Sequence, residues 1–266
     1  MIEHDPGRGN GPDVPHPVVQ LVAKVETPFG PLRGRVTVYT GPIRLAGLIP
    51  PLQALTEGLV SLMLNQARED GQHVSCRAGC AACCCLMPAL SIPESFYLRD
   101  LVASLPPEKR QEILRRFEHI VGELESRGLL SQLERPDRTD EENLRLAGEY
   151  FRLGLSCPFL ENEFCIIHPA RPLACREYHV TTPAEWCADP YSQPVKTLKL
   201  PVAVPVVVAY LTADLLSEPA RLIPLSLALR WTAKNADIHE RTWPGRWLFE
   251  HFLTTFNSMS KRGSIG

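Results

Sequence analysis

The chain has 266 residues, 44% of them hydrophobic, which is enough to bury a core without disulfide staples. A formal charge of -2 at pH 7 and a pI near 6.5 supply no basic field to gather nucleic acid or anionic lipid, so neither is expected as a partner. The start lacks a cationic region followed by an apolar run, and nine cysteines make an odd number; both suit reduced thiols in the cytoplasm better than a closed disulfide framework.

Residues 1–17 are polar and rich in Gly and Pro, which predicts a disordered arm. Its GRGNG has no strand before it and no helix after it, so it is not read as a nucleotide loop. Val18 to Glu26 and Arg33 to Thr40 are rich in β-branched residues and flank TPFGPL, which predicts a hairpin, the one clear β signal. Leu52, Leu55, Leu59, Leu62 and Met63 recur at helical spacing between Pro51 and Asp70, with Gly71 placed to end the helix. Ser91-Ile-Pro-Glu94 reads as a capping box opening a helix to about Ser104. Pro107 starts another, with Ile113, Phe117, Ile120, Val121 and Leu124 on one face and Gly128 past its end. Thr139-Asp-Glu-Glu142 opens a third, to about Leu153. Ser156 to Pro190 is irregular and broken by prolines, with a short helix expected near Pro183, and helical patterns return over 202–216, 224–236 and 244–258. The apolar run Leu200 to Leu211 falls short of the roughly 20 residues a membrane helix needs, so it is read as core and no membrane partner is expected. The expectation is a mainly α protein: a single α-rich domain over 18–266, with a cysteine-cluster core at about 75–190, C-terminal helices over 200–258 and a small N-terminal β-hairpin.

The cysteines carry the chemistry. Free cysteine is a common small core residue, yet five lie within ten positions in Cys76-Arg-Ala-Gly-Cys80-Ala-Ala-Cys83-Cys84-Cys85, a density that packing does not require. At about 100° per residue Cys76, Cys80, Cys83 and Cys84 would share one helical face and Cys85 would point away. A straight helix would also set Cys76 and Cys84 roughly 12 Å apart along its axis, too far for one ion with metal–sulfur bonds of about 2.3 Å. Either Gly79 breaks the helix or the block serves two centres. Cys157, Cys165, Cys175 and Cys187 are spaced as ligands on loops, and with the first four they make eight thiols. That number suffices for two four-coordinate metals or for an iron–sulfur cluster with thiols to spare, and sulfur ligation selects against calcium and magnesium. His168, beside Pro169, is a candidate substitute for one sulfur, with a surface or hydrogen-bonding role as the alternative. Arg77, Arg171 and Arg176 are placed in sequence to donate hydrogen bonds to thiolates, or else to lie on the surface.

The pattern CRAGCAACC, followed by CPFLENEFCIIHPARPLACREY, resembles the YkgJ-type cysteine-cluster family, described as zinc- or iron-chelating domains and including flagellin lysine N-methylases. The resemblance covers about residues 75–190 and is compatible with a longer bacterial subgroup. It implies ligands at Cys76, Cys80, Cys83, Cys84, Cys157, Cys165 and Cys175, with Cys187 as an additional member. The sequence departs from the commonest pattern in a first gap of three residues rather than two, and in the third consecutive thiol, Cys85.

Three functions are therefore expected in competition. The first is a metal-binding protein holding zinc or an iron–sulfur centre, with no reaction assigned. The second is an S-adenosylmethionine-dependent protein lysine methylase with a [4Fe–4S] cluster on Cys76-x3-Cys80-x2-Cys83, opposed by the lack of βα alternation that radical enzymes of that type need. The third is a structural zinc module that mediates contact with a protein partner. A thiol nucleophile pairing Cys157 or Cys175 with His168 or His179 is the less simple account of so many cysteines, and no Gly-x-Ser-x-Gly or His-Glu-x-x-His motif occurs.

Overall fold

The computed structural model describes residues 17–27, 30–77 and 79–263. The arm expected over 1–17 lies outside these residues except for Pro17, whose carbonyl accepts the Thr40 N–H at 2.9 Å. The predicted hairpin is present as β1 (Val18–Val25) and β2 (Leu32–Tyr39), antiparallel in a register that sets Val18 opposite Tyr39 and Val25 opposite Leu32. Its inner face buries Ala23, Val25, Val36 and Val38.

Ten α-helices follow among the described residues. They are α1 (Ile49–Glu69), α2 (Ile92–Ser104), α3 (Pro107–Ser126), α4 (Leu130–Glu134) and α5 (Asp140–Arg152), then α6 (Leu173–Glu177), α7 (Val204–Leu216), α8 (Ala228–Lys234), α9 (Ala236–Glu240) and α10 (Gly245–Gly263). Prolines near their starts and glycines past their ends set several boundaries. Gly71, at φ 72°, lets the Gln72 N–H reach the Ala67 carbonyl and its own N–H reach Arg68, which satisfies the last carbonyls of α1. Gly128, at φ 68°, ends α3 in the same way. The capping box of α5 is reciprocal: Thr139 N–H donates to Glu142 Oε2 at 2.8 Å and Glu142 N–H donates to Thr139 Oγ1 at 3.2 Å.

The main core joins the hairpin to α1, α7 and α10, through Leu52, Leu55 and Leu59, Val207 and Leu211, and Phe249, Phe252 and Phe256. A second cluster of Leu98, Val102, Ile113, Phe117, Phe159 and Ile167 binds α2 and α3 to the irregular segment, and Cys157 and Cys165 pack against it. By length and composition the most membrane-like segment is Leu45–Glu69 rather than the run at Leu200, but 61% of its most apolar stretch is buried within the protein, as in a core helix.

Two expectations are corrected. The 224–236 pattern is broken into a 3-10 turn at Leu225–Leu227, α8 and α9, because Asn235 leaves the helical region at φ -126° and its side chain donates to the Trp231 carbonyl at 2.7 Å. The hairpin is not the only β structure: four further antiparallel pairs occur, joining Pro42–Arg44 to Thr242–Pro244, Ala89–Leu90 to Ile223–Pro224, Leu160–Glu161 to Phe164–Cys165 and His179–Val180 to Thr197–Leu198. Strands of two or three residues are too short to carry a period in sequence.

Candidate metal centre

The first cysteine block is a loop that tightens into a 3-10 turn, not a helix. Gly79, at φ 78°, turns the chain where the sequence allowed a break, and Cys84 lies in the turn Ala82–Cys85 with its N–H bonded to the Ala81 carbonyl at 2.8 Å. The common helical face expected for Cys76, Cys80, Cys83 and Cys84 is therefore absent. Its leading end is pinned by Ser75, which gives its N–H to the Val180 carbonyl at 2.8 Å and its hydroxyl to the Thr182 carbonyl at 2.6 Å. Val180 N–H returns a hydrogen bond to the Cys76 sulfur at 3.3 Å. Its trailing end is tied to the second block by the Cys157 N–H, which reaches the Cys84 carbonyl at 2.7 Å.

Each downstream cysteine arrives on a different short element. Cys157 and Cys165 flank a tight hairpin whose two central residues, Asn162 and Glu163, are left-handed at φ 48° and 65°. The exposed ring of Phe164 at its tip lies beside Gly79. Cys175 is on α6, and buried Cys187 is on a 3-10 turn, Ala184–Ala188, packed against Ala82–Cys85. Cys76 and Cys83 are exposed, which opens the cluster to solvent.

Cys83 is the thiol that ionises first, and its charge raises Cys76, Cys84, Cys157, Cys165, Cys175 and Cys187. Cys187 also responds to Cys76 and Cys80, and Cys84 and Cys175 to Cys157 and Cys165. Cys85 also reaches Cys157. The hydrogen bond from Cys84 lowers Cys83 to about 7 and pushes Cys84 itself strongly upward. Burial raises Cys157 to about 12 and Cys175 well above its ordinary value, so both are protonated thiols at neutral pH.

The groups around the thiols differ from those read in sequence. Arg171 does lower Cys76, Cys83 and Cys165, and its Nε is buried with no hydrogen-bond partner among the described residues. Among the described residues Arg176 bonds to no sulfur: it pairs with Glu57 of α1 and donates to the carbonyls of Pro169 and, at 3.0 Å, Arg171. Gln53 of α1 donates to the Ala170 and Arg171 carbonyls at 3.2 and 3.3 Å, so α1 holds the segment that precedes Cys175. His168 is exposed at the start of a 3-10 turn.

Sequence reasoning missed Tyr178, Glu94 and Glu177 around this site. Burial, then the charges of Cys187, Cys83 and Cys76, raise Tyr178 to about 12. Buried Glu94 accepts from Ser91 N–H at 2.9 Å and, on its other oxygen, from Leu173 N–H at 2.8 Å, anchoring the first turn of α6. Glu177, raised to about 8 by burial, accepts the first N–H of α7 from Val204 at 2.8 Å. Only Glu94 left a signal, as the glutamate of a capping box.

Among the described residues no set of three or more His, Cys, Asp or Glu side chains is arranged so as to hold a metal ion. The donor set nevertheless fits a thiophilic metal in its chemistry: all sulfur, a neighbouring guanidinium, and backbone N–H groups already bonded to sulfur. No family model, curated protein or solved structure matches the chain. What the fold defines is a mainly helical protein with nine free cysteines.

Proposed function

We propose that the protein binds a thiophilic metal, as zinc or as an iron–sulfur centre, through Cys76, Cys80, Cys83, Cys84, Cys157, Cys165, Cys175 and Cys187, as the resemblance to YkgJ-type proteins implies. The observation that carries the reading is the joining of the two cysteine blocks across the 2.7 Å bond from Cys157 N–H to the Cys84 carbonyl. Eight thiols suit either a pair of neighbouring ions or one cluster with flanking thiols. Bound zinc would cross-link short elements that have little apolar surface of their own; a cluster would add redox chemistry at the same sulfurs. Arg171 offsets the negative charge of the thiolates. The methylase alternative keeps its support in the Cys76-x3-Cys80-x2-Cys83 spacing, but the strands among the described residues are isolated antiparallel pairs without βα units.

Anaerobic purification followed by zinc, iron and acid-labile sulfide analysis tests the reading. Broad visible absorption with sulfide identifies a cluster, and a colourless protein with stoichiometric zinc identifies ions. Cys83→Ser and Cys175→Ser should each lower bound metal several-fold, whereas Cys85→Ser should not. Equal loss from all three substitutions would reject the ligand assignment, and protein with neither zinc nor iron would reject metal binding.

A further inference from the structure

A second site stands apart from the cysteines. A cleft of about 360 Å³ lies between the α4–α5 connection, the segment 221–224 and α8, a volume suited to a small molecule. Its apolar wall is Leu133, Ile223, Pro224 and Leu227, completed by the half-buried indole of Trp231. The Trp231 indole N–H is buried with no acceptor among the described residues. Four cations line the same cleft: Arg135, Arg138, Arg221 and Lys234.

The charges are incompletely answered. Lys234 and the adjacent Arg230 share one carboxylate oxygen of Glu134, at 2.7 and 2.8 Å. Arg135 faces Asp137 and Glu142, each at 3.2 Å. Among the described residues Arg138 has no carboxylate within ion-pair distance; it donates to Asn143 Oδ1 at 2.8 Å and to the carbonyls of Leu133 and Arg135. Arg221 is half-buried and makes no hydrogen bond or ion pair among the described residues. Five cations therefore face three carboxylates, an excess of two positive charges in a chain whose net charge is -2. Burial, then Arg135 and in lesser degree Arg221, weakens the hold of Arg138 on its proton, a mark of crowded positive charge.

We propose that this cleft binds a small organic phosphate, a phosphomonoester dianion carried on a flat apolar body. The dianion matches the charge excess, and a guanidinium with no other partner is free to take a phosphate in bidentate fashion. The apolar body fits the Leu133, Ile223 and Pro224 wall against Trp231. This inference is independent of the metal reading, since no cysteine lines the cleft.

Isothermal titration calorimetry on the full chain tests it, with phenyl phosphate as probe and inorganic phosphate and benzyl alcohol as its separated halves. Because Arg221 makes no contact that holds the fold, Arg221→Ala should keep the wild-type melting temperature. It should bind phenyl phosphate at least about tenfold more weakly, the loss expected for one hydrogen-bonded charge. Trp231→Phe should weaken phenyl phosphate more than inorganic phosphate. Inorganic phosphate should bind more weakly than phenyl phosphate, and benzyl alcohol should give no saturable heat. Absence of saturable phenyl phosphate binding, or equal affinity in Arg221→Ala, would overturn the site. Inorganic phosphate as tight as phenyl phosphate would overturn the apolar body, and benzyl alcohol as tight would overturn the role of charge.

Discussion

Two guanidinium groups converge on one ring nitrogen of His239. Arg44 and Arg99 approach Nε2 at 3.2 and 2.6 Å, and since guanidinium has no lone pair, Nε2 must accept and the ring must be neutral. Its proton then sits on Nδ1, which is buried with no partner among the described residues, while the ring packs 5.0 Å from Phe96. Burial lowers the pKa below the ordinary 6.5, opposed by Asp100 and assisted by Arg99 and Arg44. Because the unfolded chain takes up the proton first, the stabilising contribution is complete above about 6.5 and is lost as pH falls through the folded pKa. Denaturant titrations should show the wild type losing up to about 1 kcal/mol per pH unit below that point. His239→Gln, which still offers an acceptor but does not titrate, should flatten that part of the profile; an unchanged slope would refute the assignment.

At the scale of elements, the short pieces around the thiols are held by acids on long helices. Glu94 satisfies Ser91 at the start of α2 and Leu173 at the start of α6, two segments far apart in sequence. Glu94→Ala leaves both N–H groups buried and unpaired, and should cost about 2–4 kcal/mol. Glu94→Gln retains one carbonyl oxygen and should cost less. Hydrogen exchange should quicken over 172–177 in Glu94→Ala, loosening the helix that carries Cys175; unchanged exchange there would show that Glu94 acts only as a cap of α2. The capping boxes at Ser91 and Thr139 and the turns at Gly71 and Gly128 were readable because each is complete within a few residues of chain. The two-residue ladders and helices α4 and α6 were not, since they exist only against a partner from elsewhere in the fold.

For the whole molecule, the division between two apolar clusters and an irregular thiol-bearing segment predicts that the metal binding proposed above stabilises the two parts unequally. The core of α1, α7 and α10 buries Leu52, Leu59, Val207, Phe249 and Phe252 without using any cysteine. The 156–198 segment has fewer buried apolar anchors, chiefly Phe159, Ile167, Leu173 and Val180. Stripping metal with a chelator under reducing conditions should therefore raise hydrogen exchange in 75–86 and 156–198 while α1, α7 and α10 stay protected. Cooperative loss of protection throughout would mean that metal holds the entire fold, and no change anywhere would count against a structural role for it.

The basic cleft was invisible in sequence because Arg135, Arg138, Arg221 and Lys234 are dispersed in a chain with slight net negative charge, and only the approach of α8 to the α4–α5 connection gathers them. The hairpin and helices α1, α2, α3, α5, α7 and α10 were determined by the sequence itself, since period, caps and terminating glycines are local properties of a chain. So was the concentration of thiols, which is composition rather than geometry. How the two cysteine blocks come together was decided by tertiary structure alone: Gly79 turns the loop, Cys157 is bonded to the Cys84 carbonyl, and the 184–188 turn that carries Cys187 packs against the 82–85 turn. Contacts between residues seventy or a hundred positions apart depend on how apolar faces close on one another, and no local pattern of residues encodes that closure.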